Sequence, residues 1–239
     1  MKLSDFKVLT FDCYGTLIDW ETGLLEALSP LVGRVKRPLT KDQVLEAHAR
    51  HEHAQEEWTP TRRYSELLAT VYKRLAEEWA VAASWDEALA YGQSIGSWPA
   101  FPDSVDALAY LKQHYRLVVL SNVDNASFAK SNTRLKVAFD AIYTAEDIGS
   151  YKPSPRNFEY MLEKLKTLGL EKKDVLHTAQ SLFHDHGPAK EIGLASCWVD
   201  RRHDRGGGFG ATVKPPVEPK FDFRFTSLAE LVKAHQGGG

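Results

Sequence analysis

Asp12 follows Val8-Leu9-Thr10-Phe11, a short run of β-formers, and Gly15 then offers the freedom for a sharp turn. The run lacks clear polar alternation, as expected of a strand covered on both faces of a parallel sheet. Ligands of open α/β sheets gather at the carboxyl ends of the strands, so an acid there is a candidate nucleophile or base. The plainer reading is that Asp12 only caps the next turn or helix. Three further groups lie at comparable points: Ser121-Asn122 after Tyr115–Leu120, Lys152 just before Pro153, and Asp185 in the loop after Val175–Gln180. Each alone is an ordinary turn or solvated residue. Cys13, beside Asp12, is read as a small buried residue rather than a reactive thiol.

Strands and helices alternate in an order that can bring these groups together. After Leu17 the pattern turns helical, and no strand is expected between about Trp20 and Gly96. Apolar residues recur at helical spacing in Leu24-Leu25-Leu28-Leu31, Val44-Leu45-Ala49 and Tyr64-Leu67-Leu68-Val71-Tyr72-Leu75, with Thr40 placed as an N-cap. Trp98-Pro99-Ala100-Phe101-Pro102-Asp103 reads as a domain boundary, with Asp103 capping the next helix. Strands are expected at Tyr115–Leu120, Ala141–Tyr143, Val175–Gln180 and finally Ala195–Val199, the arrangement of a parallel sheet. The expected fold is therefore α/β: a Rossmann-like core formed by residues 1–18 and 99–239, with an inserted helical domain over 19–98. Lys214–Phe225 reads as extended and proline-rich, and Gly206-Gly207-Gly208 as a flexible loop.

The string Phe-Asp-Cys-Tyr-Gly-Thr-Leu at 11–17 resembles the first motif of the haloacid dehalogenase superfamily, and the resemblance covers nearly the whole chain. Most members are phosphatases reading Asp-x-Asp-Gly-Thr, whose second aspartate protonates a leaving oxygen. Here that position is Tyr14, as in the L-2-haloacid dehalogenases, where a departing halide needs no proton. The resemblance implies that Asp12 attacks the halogen-bearing carbon. It implies that Ser121 positions Asp12 and that Asn122, with Tyr14, receives halide or carboxylate. Lys152, in Tyr-Lys-Pro, would keep neighbouring carboxylates ionised, and Asp185 would orient or deprotonate the hydrolytic water. Where superfamily phosphatases read Gly-Asp-Ser-x-x-x-Asp, this chain has Ala179, Gln180 and Asp185, so a magnesium ligand has become an amide. No cofactor and no metal is expected.

The resemblance also assigns the inserted helices the part of a cap that excludes water and holds the substrate carboxylate with an arginine. Arg50, within Ala47–His53, stands roughly where that arginine falls, and Arg62 and Arg63 are rivals. His48, His51 and His53 are read as surface histidines, because their spacing does not put all three on one helical face. The chain departs from the best-known dehalogenases at Leu182, aligned with an asparagine, and at His184-Asp185-His186. The two histidines either shape the pocket, as substrate contacts, or form loop hydrogen bonds. Arg201 is read as an ion-pair partner of Asp200 or Asp204.

The expected activity is metal-independent hydrolysis of short 2-haloalkanoates to 2-hydroxy acids through an aspartyl ester, with the halogen preference, fluoride included, left open. A magnesium phosphatase and a non-catalytic binding protein are the alternatives. With 30 basic and 32 acidic residues, a formal charge of −2 and 43% hydrophobic content, the composition gives no pull toward nucleic acid or membrane. No signal peptide or spanning segment is read, which makes a cytoplasmic location the expectation. Two distant cysteines suggest neither a disulfide framework nor zinc. A homodimer through an apolar cap face is left open.

Overall fold

The computed structural model describes residues 1–204 and 209–238, so the glycine loop at 206–208 and the final Gly239 lie outside the described residues. Six parallel strands form one sheet in the order β3-β2-β1-β4-β5-β6. They are β1 Val8–Phe11, β2 Arg116–Ser121, β3 Ala141–Thr144, β4 Val175–Ala179, β5 Ala195–Val199 and β6 Phe223–Phe225. The chain thus has the Rossmann-like α/β fold. The sixth strand corrects the expectation that β5 is last: Phe223–Phe225 pairs with Cys197–Val199 despite the prolines upstream.

Alternate residues of each central strand face opposite sides of the sheet, as strand geometry requires. Leu9, Phe11, Leu117, Val119 and Leu176 join the larger apolar cluster, and Val8, Val118, Leu120 and Val175 join the smaller. Burial on both faces explains why these strands read as continuous apolar runs.

Five α-helices lie between β1 and β2, and the first four precede Pro99: α1 Trp20–Val32, α2 Lys41–Trp58, α3 Tyr64–Glu78 and α4 Trp85–Gln93. Thr40 caps α2 as expected, in a reciprocal capping box with Gln43. The insertion leaves and re-enters the sheet side by side, where Asp19 N donates to Pro99 O (2.8 Å) and Phe101 N to Leu17 O (3.0 Å). The remaining helices are α5 Ser104–Leu111, α6 Asn125–Leu135, α7 Ala145–Ile148, α8 Pro155–Thr167, α9 Gly187–Glu191 and α10 Leu228–Gln236.

Asp103 stands before α5 but makes no side-chain cap to it. It is drawn away by the Arg201 guanidinium, which binds both its oxygens at 2.9 Å, and its Oδ2 accepts from Leu228 N at the start of α10. The expected partners of Arg201 are corrected with it, since Asp200 is instead held by Arg224. None of the described helices is long and apolar enough to cross a membrane.

Candidate active site

Parallel pairing brings the carboxyl ends of β1, β2 and β4 to one edge, and the candidate residues meet there. Gly15 turns the chain just beyond Asp12 with φ +90°, and a Cβ there would come within 2.9 Å of Trp20 Nε1. The turn therefore needs glycine on two counts. Thr16 follows, and its hydroxyl donates to Asp12 Oδ2 at 2.8 Å.

Lys152, on the loop between α7 and α8, is almost fully buried, and its ammonium has three acceptors. Nζ donates to Asp12 Oδ1 (3.0 Å), Asp185 Oδ1 (2.6 Å) and Leu120 O (3.0 Å). Burial acts to lower the Lys152 pKa, but the two carboxylates outweigh it and hold the group above its usual 10.5. Asp12 is pushed above its ordinary 3.8 by burial and by Asp185, against the pull of Lys152 and Thr16. Asp185 goes the other way. Burial favours its neutral form, yet Lys152 and His177 together hold it well below the carboxylate range.

Asp185 sits in a π-helical turn, Leu182–His186, after β4. His177 supports it, with Nε2 2.8 Å from Asp185 Oδ1 and Nδ1 2.8 Å from the Thr10 hydroxyl. Asp185 Oδ2 is buried and accepts no hydrogen bond among the described residues; Ser121 Oγ is buried and likewise unpartnered. Both residues line a cavity of about 40 Å³ in front of Asp12, together with Tyr14, Asn122 and His184. That is room for a molecule of only a few heavy atoms.

Asp12, Ser121, Lys152, Asp185, Tyr14, Asn122 and His184 are thus brought together, though not all with free groups. Tyr14 packs edge-on against Trp98 and shares a hydrogen bond with Ser131 Oγ at 2.9 Å. Burial pushes its phenol well above the usual range, so it stays neutral. Both amide hydrogens of Asn122 are engaged, by Lys152 O (2.9 Å) and by Glu56 Oε1 (3.1 Å). His184 Nδ1 lies 3.1 Å from Ser181 Oγ. His186 is turned away from the cavity and satisfied by Ser196 Oγ and Ala179 O, so its role is structural. Cys13 is buried and its thiol is pushed well up by burial, as the sequence suggested.

Arg50 is the correction. Its side chain is 60% exposed and binds Glu78 of α3, and it does not line the cavity. Arg62 and Arg63 are exposed as well. The insertion instead presents Glu52, Glu56 and Tyr64 to Asp12. Burial, and then the charge of Glu56, raise Glu52 well above the normal range, and it accepts the Tyr64 hydroxyl. His48, expected at the surface, is fully buried with its pKa pushed down to about 3 by burial. Its Nδ1 lies 3.8 Å from Glu52 Oε2, too far for a hydrogen bond.

Two positions that carry carboxylates in the magnesium phosphatases are changed in this chain, to Tyr14 and Gln180. The Tyr14 phenol is neutral and committed to Ser131, and Gln180 lines a different cavity, beside Trp198 and Arg202. Of the carboxylates lining the cavity, Asp12 and Asp185 already share Lys152, and Glu52 and Glu56 come from α2.

Comparison with known proteins agrees with the geometry. The chain is 26% identical over 204 residues to YfnB of Bacillus subtilis, named only as a HAD-type hydrolase, covering 82% of this chain and 84% of that protein. It is 29% identical over 106 residues to a (S)-2-haloacid dehalogenase of Pseudomonas fluorescens, covering 43% of this chain and 45% of the other. The fold matches the L-2-haloacid dehalogenase of Xanthobacter autotrophicus with a TM-score of 0.76 at 19% identity, over 98% of this chain and 100% of that one. A family model for haloacid dehalogenase-like hydrolases matches residues 6–178. With most of its length matched and its motif residues gathered at one sheet edge, the chain belongs to the haloacid dehalogenase-like hydrolases.

Proposed function

We propose that the protein hydrolyses the carbon–halogen bond of short 2-haloalkanoic acids, haloacetates and (S)-2-halopropionates, with Asp12 as nucleophile. An Asp12 oxygen bonds to the halogen-bearing carbon as halide leaves with the bonding electrons, inverting that carbon and leaving an ester. Water held at Asp185 Oδ2 then adds to the ester carbonyl. Collapse releases a 2-hydroxy acid and restores Asp12. One water proton ends on the product hydroxyl and one is released to solvent.

The observation that carries this reading is the Asp12–Lys152–Asp185 chain facing a cavity of about 40 Å³. Proximity of a fixed carboxylate to a small substrate is where most of the acceleration would arise. Asp185, held far below the usual carboxylate range, is a weak base, so it serves to aim the water rather than to store its proton. Displacement itself draws on Lys152 and not on magnesium. A cytoplasmic enzyme acting on a diffusible acid, without nucleic-acid or membrane partners, fits the composition.

The test is halide release from chloroacetate, fluoroacetate and both 2-chloropropionate enantiomers, with and without added magnesium, alongside Asp12→Asn. Release by the parent alone, indifferent to magnesium and faster with the S enantiomer, is expected. Magnesium-dependent phosphate release from esters, with no halide, would overturn the reading in favour of a phosphatase.

A further inference from the structure

A carboxylate substrate needs a cation, and none of the cavity's lining residues has one to spare. Lys152 already serves Asp12, Asp185 and Leu120 O, and no arginine lines the cavity. The insertion adds Glu56, 6% exposed, to the two carboxylates of the core.

Beside this cavity three side chains converge from two elements. His53 and Glu56 are three apart on α2 and share a helical face, and His184 comes from the turn after β4. One ligand atom from each lies within 4.8 Å of the others. His53 Nδ1, Glu56 Oε2 and His184 Nε2 are buried and have no hydrogen-bond partner. The other atoms of Glu56 and His184 are held by hydrogen bonds, and that of His53 only faces a carboxylate. Glu56 Oε1 accepts from Asn122 Nδ2 (3.1 Å), His184 Nδ1 lies 3.1 Å from Ser181 Oγ, and His53 Nε2 is 3.6 Å from Glu57 Oε1. Metal ligands are typically fixed in this way, by a neighbour on the atom that does not bind. Phe183 stands edge-on to both imidazoles, 5.1 Å from His53 and 4.9 Å from His184 between ring centroids, and walls the cluster with apolar surface.

We infer that His53, Glu56 and His184 bind a divalent transition metal of the zinc type, and that its open position receives the substrate carboxylate. Two imidazoles and one carboxylate suit zinc, cobalt or nickel rather than magnesium, and three protein ligands leave the fourth position free. Tetrahedral zinc sets its ligand atoms about 3.3 Å apart. Glu56 Oε2 and His184 Nε2 are 3.7 Å apart, and a ligand nitrogen of His53 lies within 4.8 Å of its two partners. Glu56 and His184 line the Asp12 cavity, whereas His53 and Glu56 line the adjoining outer one, so the free position opens toward Asp12. The carboxylate half of the inference rests on the haloacid reading; the metal half does not.

The experiment is titration of chelator-treated full-length protein with zinc by calorimetry, and with cobalt by visible absorption. One equivalent per chain with a four-coordinate cobalt spectrum is expected. It should be lost in His53→Ala and weakened at least tenfold in Glu56→Gln, with circular dichroism confirming that both remain folded. No bound equivalent, or equal affinity in both variants, would overturn the site and leave the 3.7 Å contact as a simple His184–Glu56 ion pair. Metal removal should also raise KM for chloroacetate at least tenfold with kcat little changed. Zinc binding with an unchanged KM defeats the carboxylate role. Zinc binding without halide release from any haloacid supports the metal site and defeats the haloacid reading.

Discussion

Asn122 and Lys152 are joined twice, as two paired backbone segments would be: Lys152 N donates to Asn122 Oδ1 at 2.7 Å, and Asn122 Nδ2 donates to Lys152 O at 2.9 Å. One side chain at the end of β2 thereby fixes the loop that delivers the buried ammonium. Asn122→Ala should leave the Lys152 N–H without its acceptor and destabilise the fold by about 1–3 kcal/mol. Denaturant unfolding checks this, and kcat should fall because Asp12 is no longer held as firmly.

Among the described residues Lys152 is the sole ammonium bonded to both Asp12 and Asp185. Lys152→Met should abolish turnover and cost about 3–5 kcal/mol, the usual consequence of removing one partner of a buried ionic group. Lys152→Arg should not restore activity, since a planar fork cannot aim three donors at Asp12, Asp185 and Leu120 O. Asp185→Asn should be tolerated better by the fold than by turnover. It should trap the ester, visible by mass spectrometry after exposure to substrate.

Two kinds of pH dependence follow from burial. Asp12 must be ionised to attack and its pKa is raised, so the acid limb of kcat/KM should lie above 3.8, while Lys152 places any alkaline loss above 10.5. Stability behaves differently. His186 is held neutral down to about 4 against an ordinary 6.5, so the unfolded chain binds more protons across that interval and stability falls as pH drops through it. Below about 4 both states are protonated at this site and its contribution stops changing. His48 acts in the same direction down to about 3. Because its ring nitrogens have no hydrogen-bond partner, His48→Leu should flatten the acid limb of a Tm-against-pH curve.

Arg50→Ala should leave KM and kcat for chloroacetate unchanged, and alter stability by no more than about 1 kcal/mol, as expected of an exposed ion pair. A tenfold rise in KM would mean that Arg50 leaves Glu78 to reach the substrate.

What could be read from the sequence was local. Asp12, Lys152 and Asp185 each belong to a short pattern in which a strand, turn or helix start lies within a few residues, and the fold gathers all three. His177 was invisible because its value comes from register: pairing of β1 with β4 sets it beside Thr10, and the following turn returns Asp185 over it. The faces of α2 were misjudged for a related reason. Its polar residues point both ways, so Glu52, Glu56 and His48 are buried while Arg50 faces solvent, and apolar periodicity does not distinguish them. Asp103 and Arg201, 98 positions apart, meet because Arg201 follows β5 and reaches back across the sheet edge, where it also donates to Thr16 O.

The side-by-side exit and return of the helical insertion, joined at Leu17–Asp19 and Pro99–Phe101, gives traffic through the site a specific form. Polar contacts tie its helices to the rest of the chain on several sides, among them Glu56 to Asn122, the Ser65 amide to Asp124, Arg63 to Glu146, Arg202 to Glu21 and Asp42, and the Tyr151 hydroxyl to Arg62 O. In the proposed reaction, entry of acid and departure of halide would work against these contacts. One of them runs through Asn122, the residue that holds Lys152 in place, so a movement of α2 away from the sheet would loosen the hold on Lys152 as well.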